Sequence, residues 1–147
     1  MNKGITQILY NHLNLPSRIT FGNGRTINYV YSAGGAKLRV THNPSGIGTT
    51  TTDNVNGYIF TNNSLSMALT DNGYYTLSGT GDPTYHFYLK DHQGNNRVVV
   101  SQNDSIVQTN HYYPYGALFA ESTNGDVQRF KYNGKELDRK FGLDSYI

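Results

Sequence analysis

Apolar residues in this chain recur at every second position, in short runs broken by turn-forming residues. Ile19 and Phe21 fall on one face of an extended segment. Ile27, Tyr29 and Tyr31 fall on one face of the next, with Asn23-Gly24 between them. Period-two alternation on both sides of such a turn predicts a hairpin. Tyr58 and Phe60, then Leu65, Met67 and Leu69, flank Thr61-Asn62-Asn63-Ser64 as a second hairpin. Tyr85, Phe87 and Leu89 line one face of a strand that runs towards Lys90-Asp91. Val98 and Val100, then Ile106, flank Ser101-Gln102-Asn103-Asp104 as a further hairpin. Asn-Gly suits a tight turn because both residues tolerate positive φ. It occurs at 23–24, 56–57, 72–73, 124–125 and 133–134. Residues 135–140 come nearest to a helical stripe, and that run is too short to hold a helix alone. The expectation is an all-β antiparallel meander of about ten short strands with at most one helical turn. Residues 43–53, nearly free of apolar side chains, read as a loop or linker, and residues 78–83 as a shorter loop.

Composition narrows the picture. The 147 residues include 17 Asn, 16 Gly, 15 Thr, 10 Ser and 13 Tyr, while only 15% are charged. Helical bundles and coiled coils need Ala, Leu, Glu, Lys and Arg in quantity, so they are excluded. Recurrent Tyr, Phe, Ile, Val and Leu argue against disorder. A net charge of +2 is too small for a dedicated nucleic-acid binder. No apolar run is long enough to span a membrane as a helix. The start, Met1-Asn2-Lys3-Gly4-Ile5-Thr6-Gln7, lacks the apolar stretch of a signal peptide. With no Cys, disulfides and thiolate metal sites are excluded, and compartment stays open.

Candidate chemistry is sparse. His86, His92 and His111 have no carboxylate at a fixed ligand spacing, so no metal site is expected. Asp91, followed by Gly94 and Asn96, reads as a turn organiser that accepts backbone N–H bonds. Glu136 and Asp138 sit among Lys135, Arg139 and Lys140 and read as a solvated charge cluster rather than an acid–base pair. No Gly-x-Ser-x-Gly elbow is present, and the Gly-x-Gly fragments lack the Lys-Ser/Thr of a phosphate loop. No catalytic residue, cofactor site or metal site is predicted. Tyr74-Tyr75 and Tyr112-Tyr113-Pro114-Tyr115 are dense enough in rings to leave a sugar-binding surface as an alternative.

A weak internal repeat runs through the chain. Tyr10-Asn11-His12-Leu13-Asn14-Leu15 precedes one strand, and Tyr31-Ser32-Ala33-Gly34-Gly35-Ala36-Lys37-Leu38 precedes another. Later copies are Tyr88-Leu89-Lys90-Asp91-His92-Gln93-Gly94 and Tyr132-Asn133-Gly134-Lys135. A unit of about twenty residues cannot bury its own face and must stack on its neighbours. The pattern resembles the tyrosine-aspartate (YD) repeat of rearrangement-hotspot (RHS) proteins, with Asn11 and Ser32 in place of its Asp. Asp91, Gly94, Asn96 and Arg97 stand in a stretch similar to the "DHLGNxR" opening of the RHS repeat-associated core. Tyr113, Pro114 and Gly116 match its "YYPFG" element. Tyr132, Gly134, Lys135, Glu136 and Asp138, then Gly142 and Leu143, resemble its "Y-x-G-K-E-x-D…GL" element.

The resemblance implies YD-like repeat strands over residues 1–42 and a core-like region over 43–147, either separate or joined in one continuous sheet. It further implies a non-catalytic segment of an RHS shell that encapsulates and delivers a C-terminal effector or toxin within a larger bacterial protein. That protein would be secreted or at the cell surface. Its partners would be the rest of that chain and the effector, with self-association through edge strands and neither nucleic acid nor membrane insertion. The family's self-cleavage elements do not occur within these residues, so no self-cleavage is expected. The alternatives are a β-sandwich glycan-binding or adhesin-like module, which needs three or more coplanar exposed rings, and a hydrolase, which needs carboxylates or a Ser/His pair converging in a cleft.

Overall fold

A computed structural model describes residues 3–46, 48–77 and 81–146. Ile47 of the first expected loop and residues 78–80 of the second lie outside the described residues. The chain is all-β, and the strand order of its main sheet is the sequence order, every described neighbour antiparallel. It divides into two compact units, Met1–Leu69 and Thr70–Ile147.

The first unit carries β1 (Ile5–Tyr10), β2 (Pro16–Phe21), β3 (Thr26–Tyr31), β4 (Lys37–Asn43), β5 (Thr50–Val55), β6 (Tyr58–Thr61) and most of β7 (Ser64–Thr70). The predicted face of the first hairpin is its core. Ile19 opposes Ile27, which in turn opposes His42, and Tyr29 opposes Val40, all of them buried. The opposite face carries the row Val30, Arg39, Asp53, Phe60 and Leu65 across four strand pairs. There Arg39 grips Asp53 through two parallel bonds of 2.5 and 3.0 Å. In the second hairpin the inward residue is Ile59, not Tyr58 or Phe60. A bulge between Ile59 and Phe60 sets Leu65 opposite Phe60 but Met67 opposite Ile59, breaking the simple alternation. The stretch 43–53 is only partly a loop. Asn43 ends β4, and four consecutive Thr from position 49 supply the β-branched residues with which β5 begins.

One turn recurs, and it explains the repeat. Five residues close a loop in which the first N–H donates to the fifth carbonyl and the fourth N–H donates to the first carbonyl. It occurs at 11–15, 21–25, 32–36, 91–95 and 101–105, at 2.8–3.0 Å throughout. The fourth residue always has positive φ: Asn14 60°, Gly24 81°, Gly35 83°, Gly94 81° and Asp104 61°. This is a type I turn closed by a left-handed bulge residue, which Gly and Asn adopt at least cost. The two-residue form with both φ positive appears at Asn56-Gly57 and also at Asn62-Asn63, which has no glycine. Asn23-Gly24, Asn72-Gly73 and Asn124-Gly125 are not such turns, since at most one residue of each pair has positive φ.

In the second unit β8 (Gly73–Thr76), β9 (Thr84–Lys90), β10 (Asn96–Ser101) and β11 (Ile106–Thr109) continue as a meander. The chain then becomes irregular, with a short pair β12 (Leu137–Asp138) and β13 (Ser145–Tyr146). Three tight 3₁₀ turns lie here, at Pro114–Gly116, Tyr132–Gly134 and Lys140–Gly142, against the expected maximum of one. None propagates into a helix because each central residue has positive φ: Tyr115, Asn133 and Phe141. Tyr85, Phe87 and Leu89 do share a face, but Phe87 and Leu89 are exposed there. The buried face holds Tyr74, His86, Val99 and Gln108, and it is the side on which the irregular segment packs.

Candidate functional site: a buried polar node

Asp91 sits at the first position of its turn. Its Oδ1 accepts from the N–H groups of Gln93 and Asn95, each at 3.0 Å, and its Oδ2 accepts from Asn95 Nδ2 at 2.9 Å. Desolvation works to raise its pKa, but the three donors outweigh it and hold the carboxyl below its usual range. Gly94 supplies the positive φ. The same position in other copies is filled by residues of equal capability. Asn11 Oδ1 accepts from the N–H groups of Leu13 and Leu15 at 2.9 and 3.0 Å, and Ser32 Oγ from that of Ala36 at 3.1 Å. A short side chain with an oxygen caps the turn, and Asn and Ser do this as Asp does, whereas the 21–25 turn forms with Phe21 at that position and no such cap.

The Asp91 turn leads into the node. The Asn95 side chain accepts from Asn133 N–H at 3.0 Å, and Asn96 Nδ2 donates to the Phe130 carbonyl at 2.7 Å. The Asn96 carbonyl receives both Asn110 Nδ2, at 2.9 Å, and the Tyr112 hydroxyl, at 2.7 Å. Gln108 Nε2 donates to Asn110 Oδ1 and to the Gln128 carbonyl, while its Oε1 accepts from Gln128 N–H at 2.7 Å. Gln128 Nε2 reaches the Tyr88 hydroxyl at 2.5 Å. Lys131 lies at the centre with no solvent exposure, its ammonium 3.1 Å from Asn110 Oδ1. Burial pulls this lysine down to about 8, with Asp126 opposing and Arg139 adding to the drop. Primary amides dominate the node because each offers two donors and an acceptor without carrying charge.

A ring cluster closes the other side. Tyr132 packs edge-on to Tyr112, with centroids 5.7 Å apart, and lies 6.2 Å from Tyr146. Arg97 stands 5.7 Å over the Tyr112 ring. The Tyr146 hydroxyl donates to the Gly116 carbonyl at 2.9 Å. A Cβ at Gly116 would lie 2.8 Å from Tyr132 Cγ and 3.0 Å from Tyr146, so only glycine fits. Pro114 opens the turn that presents Gly116, while Tyr113 turns away to stack 3.8 Å from Phe119. Gly134 provides positive φ for the 131–135 turn, in which exposed Lys135 contributes backbone only, and Gly142 does the same for the 140–142 turn. Leu143 is buried.

Glu136 and Asp138 are not a solvated cluster. Asp138 is buried and its Oδ1 accepts from Lys140 N–H at 3.0 Å, which starts the following turn. Glu136 is half-buried, 3.8 Å from Arg129. Asp138 pairs with Ser145 across β12 and β13, and Glu136 bridges to Phe130, which draws the two inward against the expectation drawn from their charged neighbours. Asp138 borders a cleft of about 280 Å³ lined also by Asp126, Arg129, Arg139 and Lys140. Arg139 is engaged there by Asp144 at 2.8 Å and Asp126 at 3.4 Å. His86, His92 and His111 stay apart. His86 stacks on Tyr74 at 4.5 Å and bonds Thr76, with its pKa lowered by desolvation. Among the described residues, no three His, Asp or Glu are grouped to hold a metal ion. Gln108, Gln128 and Lys131 are the residues that sequence reasoning missed. Isolated polar residues between apolar ones look like the outward side of a strand.

The rings at Tyr75, Tyr85 and Phe87 are not coplanar. Tyr75 and Tyr85 are 4.6 Å apart but inclined by 42°, and Tyr85 meets Phe87 at 85°. No helix among the described residues is long and apolar enough to cross a membrane.

No family model and no curated protein matches this chain. Solved structures do. A chain in the crystal structure of TcdB2-TccC3-TEV superposes over 92% of this one with a TM-score of 0.69 and 16% identity. The crystal structure of TcdB2-TccC3 gives 0.66 at 16% identity, and the Tc holotoxin pore of Photorhabdus luminescens 0.65 at 14%. This chain spans about 8% of the length of those chains. The likeness is one of fold, and that fold is the antiparallel strand meander expected from the RHS-type pattern.

Proposed function

We propose that this chain is a non-catalytic wall segment of an RHS/YD-type shell, in which a larger secreted or surface-exposed bacterial protein encloses and delivers a C-terminal effector. The observation that carries this reading is the recurrent five-residue turn. It joins successive strands of one meander and is capped by a side-chain oxygen at Asn11, Ser32 and Asp91. Such a unit adds strands without limit, as a wall requires. The likeness to Tc toxin chains over 92% of this chain supports it. The polar node supports the non-catalytic part. Its groups are neutral amides and a buried amine that clamp the irregular segment to the sheet. Inclined rings at 75, 85 and 87 weigh against the glycan-binding alternative.

The test is limited proteolysis of the complete product of the reading frame that contains this segment. A C-terminal polypeptide resistant while the wall is intact, and degraded once the wall is opened by denaturant, is the expected result. A C-terminal region cleaved at native conditions as fast as a free peptide would overturn the reading.

A further inference from the structure

In the second unit the arrangement of polar and apolar faces is inverted. The side of β8–β11 that packs against the irregular segment holds Gln108, His86 and the amide node. Among the described strand residues, the register puts Tyr75, Tyr85, Phe87, Leu89 and Ile106 on the other side, together with Val98, Val100 and Thr109, none of them charged. Register places Tyr75 beside Tyr85, Phe87 beside Val100, Leu89 beside Val98 and Val100 beside Ile106. Tyr75, Phe87, Leu89 and Ile106 are 40%, 46%, 56% and 68% exposed. Isolated exposed apolar residues mean little, but a contiguous face marks an interaction surface. We propose that this face docks on the same face of a second copy of the chain, sheet against sheet, about a two-fold axis.

Three observations select a second copy as the occupant. The face carries no charge, so a self-complementary contact sets no like charges against each other. The whole chain has a net charge of only +2, so long-range repulsion between copies is slight. The area also fits. Aromatic side chains offer on the order of 150–250 Å² each and Leu and Ile about the lower end of that, so Tyr75, Phe87, Leu89 and Ile106 near half exposure, with Tyr85 and the two valines between them, present roughly 500 Å². Two copies would bury about 1,000 Å² in total, short of the roughly 1,200–2,000 Å² of stable interfaces and within the range of weak, transient ones. Antiparallel sheets with one apolar face pack in this way at about 10 Å separation.

Light scattering coupled to gel filtration tests the proposal on these 147 residues at micromolar concentration. Three proteins are compared. They are the unmodified chain, a face variant with Leu89→Lys and Ile106→Lys, and an edge variant with Ile8→Lys and Leu9→Lys on β1. All four positions are exposed, and circular dichroism checks that each variant is folded. The expected result is a dimer for the unmodified chain and the edge variant, and at least tenfold weaker association for the face variant. A monomeric unmodified chain overturns the proposal. So does a face variant that associates normally while the edge variant does not, which would place the contact at the β1 edge.

Discussion

Replacing Lys131 by methionine should stabilise the second unit and remove a pH dependence. Lys131 is wholly buried, and its ammonium has an amide oxygen rather than a carboxylate within hydrogen-bond distance. Its pKa falls from 10.5 to about 8. In the unfolded chain it returns to near 10.4. Between these values the unfolded state binds more protons, so stability rises with pH across that window. At about 1.4 kcal/mol per pH unit, the cost of a charged Lys131 at pH 7 is about 3 kcal/mol. Methionine keeps the length of the stem and abolishes the cost, but gives up one hydrogen bond worth about 1 kcal/mol. The net gain at pH 7 is about 2 kcal/mol. Urea unfolding, followed through the NMR signals of Val99 and Gln108, reads this unit directly. The range pH 7–9 stays below the ionisation of tyrosine in the unfolded chain, at about 10. Burial raises Tyr74 and Tyr146 to about 12 in the folded state, so at higher pH that ionisation would lower stability and mask the lysine. Wild-type stability that is flat or falls across this range, or a methionine variant with the same slope, would refute the reasoning.

Other substitutions probe the turns and the packing. Gly73→Ala should cost more than 3 kcal/mol by urea unfolding, because the new Cβ would lie 1.9 Å from the His86 carbonyl oxygen in the neighbouring strand. Gly116→Ala should cost about as much, through a positive φ of 91° and the Tyr132 and Tyr146 rings. Asp91→Ala should cost about 1–2 kcal/mol and Asp91→Asn clearly less, since Asn11 performs the same capping in an equivalent turn. The contribution of the Asp91 charge is present above its unfolded pKa and lost as pH falls through its lower folded value, so wild type should approach the Asp91→Asn variant at acid pH in the same assay while the gap between the two variants stays constant.

The strand meander was legible because alternation and turn chemistry agree over most of the chain. Ile19, Phe21, Ile27 and Tyr29 are spaced as they are buried. Which face turns inward in the second unit was not legible. Tyr85, Phe87 and Leu89 look like a core by hydropathy, yet the buried side is set by Gln108, Gln128 and Lys131, whose hydrogen bonds reach up to 40 residues along the chain. Pattern reading sees neighbours in sequence, not such partners. Bulges hid the second hairpin's inward residue for a similar reason, since one extra residue exchanges the faces. The Asp91 turn was readable because its donors lie within four residues. Glu136 and Asp138 misled because their charged neighbours suggested solvent, while the fold pairs Asp138 with Ser145 and Glu136 with Phe130.

The structure of the complete product of the reading frame, determined by electron cryomicroscopy, tests the wall assignment most directly. The account predicts a further strand paired antiparallel on the free edge of β1, the same five-residue turn in the added hairpins, and a polypeptide enclosed by the wall. A β1 edge left bare or covered by a helix, with no enclosed chain, would contradict it.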